Sequence, residues 1–362
     1  MEQHPELPYW LALRRAGLGS INFALLLARF GTVESAWNAR VEQLASAGLD
    51  PQYVRGVAKA KAGFDGEREL SLMAAHGARA LTWLDATYPQ NLRDIPQSPP
   101  VIFIRGSQGP QFEQAVAVVG TRHVTPYGRQ AAEHFCSVLA RSGVAIISGL
   151  ARGIDTLSHQ SALAAGGRTL AVIGSGPDIY YPAENRRLAE RIAASGCVIS
   201  EFLPGTMPNK ENFPRRNRLI SGLSLGILVI EATARSGSLI TAGCALEQNK
   251  EVFAVPGNIT SLTSEGTNKL IRQGAKMVLH TEDIIEELAP VLKGYIRASQ
   301  REKITLAGEE EKLCSMLSRD PKHVDIISRE SGLSVNQLLN LLLSLELKGI
   351  VKQVSGKRFY IA

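Results

Sequence analysis

The sequence predicts an α/β protein whose centre is a Rossmann-like, doubly wound, mostly parallel sheet. Between about Leu81 and Glu287, short β-branched apolar runs alternate with amphipathic helical stretches, as in sheets that helices cover on both faces. The residues before this region have a helical pattern throughout, and those after it follow the order of a winged helix. A chain of 362 residues is long enough for two or three such domains.

The first predicted domain, residues 1–76, is a bundle of short helices joined by glycine-bearing turns. The turns Gly17-Leu18-Gly19 and Gly48-Leu49-Asp50 give it a SAM-like or helix-hairpin-helix-like character, and backbone amides at such turns can hold a phosphate. Glycine is also an ordinary residue at helix ends. A bundle used for packing and interaction is therefore the favoured interpretation.

The second predicted domain, residues 77–290, carries the sheet. Its predicted strands are VIFIRG (Val101–Gly106), AVAVVG (Ala115–Gly120), VAIISG (Val144–Gly149), TLAVIG (Thr169–Gly174), GCVISE (Gly196–Glu201), GILVIEA (Gly226–Ala232) and EVFAVPG (Glu251–Gly257). Helices are predicted between them, for example over residues 127–142 and 155–165.

A polar stretch, residues 291–305, is predicted to link this domain to a winged-helix domain at residues 306–362. The third helix of the winged-helix domain would be the one that reads DNA, yet it carries Asn336, Gln337 and Asn340 with no arginine. Because basic residues supply most of the non-specific affinity for DNA, contact with protein or a structural role is favoured over duplex reading.

The composition indicates the cellular compartment but does not identify the ligand. A net charge of +6 and a pI near 9.2 permit a nucleic-acid partner without demanding one. The four cysteines are scattered without metal-ligand spacing, which is typical of core residues in a reducing compartment. No window reaches the roughly 18 apolar residues of a membrane span. We therefore expect a cytoplasmic protein with no metal, no cofactor and no membrane partner.

Most predicted strands end in glycine or a short polar turn, for example Gly120-Thr121-Arg122 and the segment Ser148–Gly153. Ligands bind at this carboxyl edge of open α/β sheets, and glycine lets backbone amides approach a phosphate closely. Ser236 or Ser238 is predicted to cap a further helix whose free amides face the same edge. Because neither a P-loop nor a full dinucleotide fingerprint is present, the sequence predicts phosphate binding without either motif.

The sequence allows more than one role for the acidic residues at this edge. Asp155 and His159 are four residues apart on one predicted helix and could touch, although a helix cap beside a satisfied histidine explains them better. Glu231 ends an apolar strand, where it could position a loop through backbone amides or pair with an arginine.

Basic residues are concentrated in the segment Pro204–Gly222. The side chains predicted to converge on the carboxyl edge are Lys210, Arg215, Arg216, Arg218, Arg122 and Arg152. Arginine suits phosphate recognition, and Phe213 offers a face on which a base can stack. The alternative is that Arg215 or Arg218 pairs with Glu201 and Glu231 and only supports the fold.

A series of motifs runs in order along nearly the whole chain. They are YPQNLRDIPQSPPVIFIRG (Tyr88–Gly106), VVGTR followed by YG (Val118–Arg122, Tyr127-Gly128), SGLARGIDTLSH (Ser148–His159), AVIGSGPDIYYP (Ala171–Pro182), FPRRNRLISGLS (Phe213–Ser224), VIEATARSGSLITA (Val229–Ala242) and VFAVPG (Val252–Gly257). Any one of them would be a weak signal. The series resembles the DNA-processing protein A family, also called DprA or Smf.

The resemblance implies a non-catalytic recombination mediator. Members of this family bind single-stranded DNA, protect incoming strands, dimerise through the Rossmann-like domain and load the RecA recombinase during natural transformation. Carried over by motif, the DNA-binding residues would be Gly120, Thr121, Arg122, Lys210, Phe213, Arg215, Asn217 and Arg218. No catalytic residue, metal ligand or cofactor is implied, and the dimer and RecA contacts are expected within about Thr241–Gly274.

Two other functions are kept as hypotheses. A nucleotide-processing hydrolase resembling the phosphoribohydrolases would carry a PGGxGT-type turn, but Asn258 replaces the second glycine in the corresponding region Pro256–Thr267. A winged-helix transcription regulator would need a recognition helix richer in hydrogen-bond donors.

Overall fold

The computed structural model of the protein describes residues 4–107, 109–110, 112, 114–289, 308–318, 321–347, 351–354 and 356–361. These residues form two compact units, Met1–Lys293 and Gly294–Ala362. The predicted boundary between the helical bundle and the sheet domain, at residues 76 and 77, falls inside the first unit. The predicted linker, residues 291–305, lies outside the described residues.

The chain begins with six short helices, as the sequence predicts. They are α1 (Leu7–Arg15), α2 (Ser20–Phe30), α3 (Val33–Asn38), α4 (Val41–Ser46), α5 (Pro51–Lys61) and α6 (Gly66–Ala75). At both predicted turns the glycine has a φ of +90°, at Gly17 and Gly48, a conformation that glycine adopts without a steric penalty. The following residues, Leu18 and Leu49, are buried, so these turns end helices and supply apolar side chains to the core.

The helical bundle packs directly against one end of the sheet. Two strands there, β1 (Ala78–Thr82) and β2 (Val101–Arg105), contribute Ala80 and Phe103 to the same core as Trp10 and Phe23. The rings of Trp10 and Phe23 stack at 5.0 Å between centroids. Bundle and sheet therefore share buried surface.

All seven predicted strands are present in one nine-stranded sheet. They are β2, β3 (Ala115–Val119), β4 (Ala145–Ser148), β5 (Thr169–Ile173), β6 (Cys197–Ser200), β7 (Gly226–Val229) and β8 (Glu251–Ala254), joined by β1 and by β9 (Lys276–Met277). The strand order is β1-β2-β6-β5-β4-β3-β7-β8-β9, and every pair from β6 to β9 is parallel. The two pairings that involve β2 are antiparallel. The predicted mostly parallel, Rossmann-like fold is confirmed.

The strand order places a crevice beside β3. The chain proceeds from β3 to β6 on one side and from β7 to β9 on the other, and ligands bind in α/β sheets where the order reverses in this way.

The helices of the sheet domain lie between and after its strands. They are α7 (Gln90–Arg93), α8 (Pro126–Arg141), α9 (Ile154–Ala164), α10 (Arg186–Ser195), α11 (Asn212–Gly222), α12 (Gly237–Glu247), α13 (Glu265–Arg272) and α14 (residues 281–289).

The second unit has the predicted winged-helix order. Its elements are α15 (Gly308–Met316), β10 (Lys322–His323), α16 (Val324–Ser331), α17 (Val335–Leu347), β11 (Val351–Val354) and β12 (Arg358–Ile361), with the strands ordered β10-β12-β11. Apolar residues from all three helices, such as Leu313, Ile327 and Leu342, form its core. The side chains of Asn336 and Asn340 lie outside the described residues, whereas Gln337 is exposed.

None of the helices in the described part of the chain combines the length and apolar character that crossing a membrane requires.

The shared core makes a testable prediction about stability. Phe103 is fully buried in β2, and its replacement by alanine should lower the free energy of unfolding by about 3–5 kcal/mol. The protein's three tryptophans, Trp10, Trp37 and Trp83, report on the bundle, so urea unfolding followed by tryptophan fluorescence measures the effect. Leu84→Ala, at an exposed site, should change it by less than about 0.5 kcal/mol. A fluorescence transition that Phe103→Ala leaves unchanged would contradict the shared core.

Candidate nucleic-acid interface

The carboxyl edge of the sheet encloses a cavity of about 490 Å³. Its walls are the turn after β3, the loop after β4, the helix α11 and the first turns of α12. The lining residues that bear on function are Gly120, Arg122, Asp155, Tyr181, Lys210, Phe213, Arg216, Asn217, Ser236 and Ser238. The cavity lies where the strand order predicts a ligand site.

The turn after β3 is held tightly against its neighbours. The backbone N–H of Thr121 donates to the carbonyl of Glu231 at 2.7 Å, and the N–H of Ile154 donates to the carbonyl of Thr121 at 3.1 Å. A side chain at Gly120 would place its Cβ 2.6 Å from the Cγ1 of Ile154. Only glycine fits there, so the backbone of this turn stays close to the cavity.

Glu231 positions loops, which is the first of its two predicted roles. Its carboxylate is 2% exposed. One oxygen accepts from the hydroxyls of Thr125 at 2.6 Å and Thr263 at 3.1 Å, and the other accepts from the backbone N–H of Thr125 at 3.1 Å. These bonds satisfy a buried carboxylate and fix the start of α8, where the side chain of Glu231 lies directly against Gly128.

Arg216 lies under the floor of the cavity and is only 5% exposed. Its guanidinium donates to the carbonyl of Gly149 at 2.6 Å, to the carbonyl of Val172, and to the side-chain oxygen of Asn217 at 3.2 Å. It therefore joins α11 to the carboxyl ends of β4 and β5.

Asp155 completes this buried network from the first turn of α9. Its Oδ2 accepts from the backbone N–H groups of Gly149 at 3.1 Å and Ala151 at 3.3 Å. Burial raises the pKa of the Asp155 carboxyl, and the nearby Arg216 opposes that rise. Burial also lowers the pKa of the Arg216 guanidinium to about 10, against the opposing effect of Asp155. Each group therefore favours the charged form of the other, and both bond to the loop after β4.

His159 has no catalytic partner in the described residues. It is fully buried, and its Nδ1 lies 2.7 Å from the hydroxyl of Thr169. Burial, with a smaller contribution from Arg216, lowers the pKa of His159 to about 3, so the ring is neutral at physiological pH. Asp155 bonds to backbone amides that precede the helix, and not to His159. The N-cap of α9 is Gly153, and the Nε2 of His159 has no hydrogen-bond partner among the described residues, so the predicted helix cap and the predicted satisfied histidine are both wrong.

Exposed basic and aromatic side chains surround the mouth of the cavity. The guanidinium of Arg122 lies 5.7 Å from the centre of the Phe213 ring. Tyr181 is 43% exposed, and its ring centre lies 5.7 Å from that of Phe213, with the two rings inclined by 37°. Lys210 is exposed beside them. The arrangement offers cations for phosphates and ring faces for bases.

The helix α11 separates the arginines that were predicted to converge. Phe213, Arg216 and Asn217 line the carboxyl-edge cavity, as their helical spacing allows. Arg215 and Arg218 line a second cavity instead. Arg218 forms an ion pair of 2.5 Å with Glu201, which matches the alternative prediction for that residue, and the guanidinium of Arg215 lies 5.5 Å from the ring centre of Phe202. The structure therefore does not bring these two residues to the same site as Arg122.

The other predicted residues are placed as follows. Gly120, Arg122, Lys210, Phe213 and Asn217 line the carboxyl-edge cavity, while Thr121 lies buried in the turn beside it. Arg152 is exposed near the mouth and pairs with Glu184 at 2.5 Å. Ser236 caps α12, accepting from the N–H of Ser238 at 3.3 Å, and the first residues of this helix line the cavity.

Tyr181 is a lining residue that the sequence analysis did not single out. It appears in the sequence only within the motif AVIGSGPDIYYP. Its position in the loop after β5, at the carboxyl edge of the sheet, is the signal that could have identified it.

Comparison with known proteins decides the family. The model of the DNA recombination-mediator protein A family matches residues 79–289, and a DprA winged helix domain model matches residues 297–357. The chain belongs to the DNA recombination-mediator protein A family. The resemblance seen in the sequence motifs is thereby confirmed.

Relatives of the family cover most of the chain. Protein Smf of Synechocystis sp. is 32% identical over 98% of this chain and 98% of its own length. The X-ray structure of DNA processing protein A from Streptococcus pneumoniae matches 79% of this chain and 99% of that chain, with 33% identity and a TM-score of 0.69. A structure of the Helicobacter pylori protein, reported with a unique single-stranded DNA binding mode, matches 59% of this chain and 96% of that chain, with 29% identity and a TM-score of 0.54.

Because Glu231 lies against Gly128, adding one methyl group at position 128 should strongly lower the stability of the protein. Gly128→Ala would place a Cβ in direct overlap with the Glu231 carboxylate, so it should lower the free energy of unfolding by about 1–3 kcal/mol. Gly243→Ala is the matched control, because this helical glycine has no atom within 4 Å of a built Cβ and alanine favours helix. Thermal unfolding of both variants measures the difference. Equal stability of the two variants would contradict the tight contact.

The buried pair of Arg216 and Asp155 predicts coupled effects. Arg216→Met should lower the free energy of unfolding by about 3–5 kcal/mol, because it leaves the buried carbonyls of Gly149 and Val172 without their donor and removes the positive charge near Asp155. Adding Asp155→Asn should recover part of the loss, which a double-mutant cycle in urea measures. The neighbouring exposed Arg215→Met should cost about 1 kcal/mol or less. Strictly additive losses for Arg216 and Asp155 would show that the two charges do not compensate each other.

Proposed function

We propose that the protein binds single-stranded DNA in the carboxyl-edge cavity and acts as a recombination mediator without catalysing a reaction. The observation that carries the proposal is that the exposed side chains of Arg122 and Lys210 line the same cavity in the sheet crevice as Phe213, with Arg122 over the Phe213 ring. The structurally similar protein from Helicobacter pylori is reported to bind single-stranded DNA, which supports the same ligand class here.

The charges of the cavity favour a phosphate chain. Asp155 is the carboxylate among the lining residues, and its charge is compensated by Arg216 inside the fold. Arg122 and Lys210 therefore contribute positive charge to the mouth. The start of α12 lines the same cavity, and the positive end of the helix dipole there also favours an anion.

The rings at the mouth suit bases that are not paired. Phe213 and Tyr181 present faces that bases can stack on, which requires an unstacked strand and tolerates every base. Phosphate contacts likewise carry no sequence information. The protein should therefore bind single strands with little preference for sequence.

The finer parts of the proposal follow the family. The protein would protect incoming single strands, form a homodimer through the Rossmann-like domain and load the RecA recombinase during natural transformation in the cytoplasm. The proposed DNA-binding residues are Gly120, Thr121, Arg122, Lys210, Phe213, Arg215, Asn217 and Arg218, of which Arg215 and Arg218 would contact DNA from the second cavity.

Removing both exposed cations tests the proposed site. Arg122→Ala/Lys210→Ala should weaken binding to single strands of every sequence. If each residue contacts one phosphate, the log–log slope of affinity against salt should become shallower by about 1.4. Fluorescence anisotropy with labelled oligonucleotides at several salt concentrations measures both quantities.

Arg55→Ala/Lys59→Ala is the matched control, because it removes the same charges from an exposed part of α5 that lines neither cavity. Circular dichroism establishes that both variants are folded. A folded Arg122→Ala/Lys210→Ala variant that keeps the affinity and slope of the control would refute the assignment of the site.

The absence of catalysis is tested separately. Incubation with nucleoside monophosphates, followed by chromatography for the free base, should give no turnover above background. If the unmodified protein releases free base and the Arg122→Ala/Lys210→Ala variant does not, the phosphoribohydrolase-like hypothesis is favoured instead.

A further inference from the structure

A third cavity, of about 600 Å³, lies where the start of α10 and the loop after β5 meet the end of β2 and the turn after α6. We call it the α10 cleft. The lining residues that bear on function are His76, Arg105, Asp178, Tyr180, Ala183 and Arg186. Its volume is within the range of about 300–1,000 Å³ that ligand sites occupy.

Arg105 presents unused hydrogen-bond donors to this cleft. Its half-buried guanidinium lies 5.4 Å from the ring centre of Tyr180, and its Nη1 donates to the Tyr180 hydroxyl. The Nε and Nη2 of Arg105 have no hydrogen-bond partner among the described residues, and neither atom is closed off from solvent. No carboxylate in the described part of the chain forms an ion pair with Arg105. Its charge is therefore available to a ligand.

Tyr180 and Arg186 add two further donors. The Tyr180 hydroxyl accepts from Arg105, while its own O–H has no acceptor within the part of the chain that the structure describes. Burial raises the pKa of the Tyr180 phenol, and Arg105 and Arg186 both lie close enough to oppose that rise. The guanidinium of Arg186 is exposed, and its ion pair with Glu190, of 3.3 Å, lies at the surface, where such a pair contributes little.

The carboxylate among the lining residues, on Asp178, is directed to the protein backbone. Both of its oxygens accept from the N–H of Gly205, at 2.9 and 3.0 Å. The groups left for a ligand are therefore two guanidiniums and a hydroxyl, all of which donate. A ligand that satisfies several donors and two positive charges carries negatively charged oxygens close together, as a phosphate does.

Only the loop after β5 separates the α10 cleft from the carboxyl-edge cavity. Tyr180 lines the cleft, and the next residue, Tyr181, lines the cavity. The Cα atoms of adjacent residues are about 3.8 Å apart, so a strand with a base beside Tyr181 has its next phosphates near the cleft. A chain of phosphates also matches the positive charge of both places.

We propose that the α10 cleft holds phosphates of the same single strand whose bases stack at the carboxyl-edge cavity. This inference rests on the proposed function. Arg105 and Arg186 each contact a phosphate, and the Tyr180 hydroxyl donates to one of them. The DNA path therefore crosses the loop after β5 and continues along the start of α10.

Removing the two guanidiniums tests the cleft by its effect on salt dependence. Arg105→Gln/Arg186→Ala should make the log–log slope of affinity against salt shallower by about 1.4, and weaken binding of an oligo-dT of about 20 nucleotides roughly twentyfold at about 0.1 M salt. Arg186→Ala alone removes only an exposed side chain, so it keeps the test valid if Arg105→Gln impairs folding. It should change the slope by about 0.7 and the affinity roughly fivefold.

Arg187→Ala is the matched control, because Arg187 is an exposed arginine of the same helix that does not line the cleft. It should change the affinity less than about twofold. Cleft variants that bind like Arg187→Ala, while Arg122→Ala/Lys210→Ala binds weakly, would overturn the cleft and leave the proposed function intact. No binding of the strand by the unmodified protein would overturn the proposed function itself.

Alkylation of an introduced cysteine measures whether DNA occupies the cleft. Ala183 is exposed on the cleft wall, whereas Ala194 is exposed at the far end of α10 and does not line the cleft. Saturating oligo-dT should slow the reaction of Ala183→Cys with iodoacetamide roughly tenfold, because a seated ligand is largely enclosed, and should leave Ala194→Cys unchanged. Peptide mass spectrometry distinguishes these cysteines from the native ones.

Anisotropy of the same samples establishes that the strand is bound. Bound strand with unchanged alkylation of Ala183→Cys would overturn the proposal. Protection of Ala183→Cys by inorganic phosphate but not by oligo-dT would show that the cleft takes a free anion, which would also overturn the claim that its occupant is the strand.

Discussion

The carboxyl-edge cavity depends on the hydrogen bonds that the buried guanidinium of Arg216 donates. This guanidinium bonds to carbonyls at Gly149 and Val172, and the nearby Asp155 accepts from the amides of Gly149 and Ala151 in the loop after β4. These bonds set where α11 lies relative to β4 and β5. The position of α11 in turn decides which side chains face each cavity.

Buried and exposed charges have different tasks in this protein. Arg216, Asp155 and Glu231 are buried, and their hydrogen bonds go to turns and loops of the chain. Removing such a group leaves its partner without compensation, so these residues maintain geometry. Arg122 and Lys210 are exposed, which leaves them available for an external anion. The three arginines of α11 show the same division: Arg216 is buried and supports the site, Arg218 pairs with the buried Glu201, and Arg215 is exposed.

Much of the fold could be predicted because its strands are apolar, β-branched runs that end in glycine. The strand β1 was missed because its sequence, ARALT, alternates in polarity over a short length, and β9 has only two residues. No helix was predicted over α11, although Pro214 is tolerated in a first helical turn and arginine favours helix. The separation of Arg215 and Arg218 from Arg122 follows from that helix, since its two faces lead to different cavities. Such a separation depends on the tertiary position of α11, which residue types alone do not reveal.

The most direct test of this account compares a labelled oligo-dT with a duplex of random sequence by fluorescence anisotropy, each titrated at several salt concentrations. The account predicts preferential binding of the single strand, with affinity that falls steeply as salt increases, because phosphates are contacted by Arg122 and Lys210 and bases stack on Phe213. Equal affinity for the duplex would contradict stacking on unpaired bases. No binding to either would contradict the proposed function.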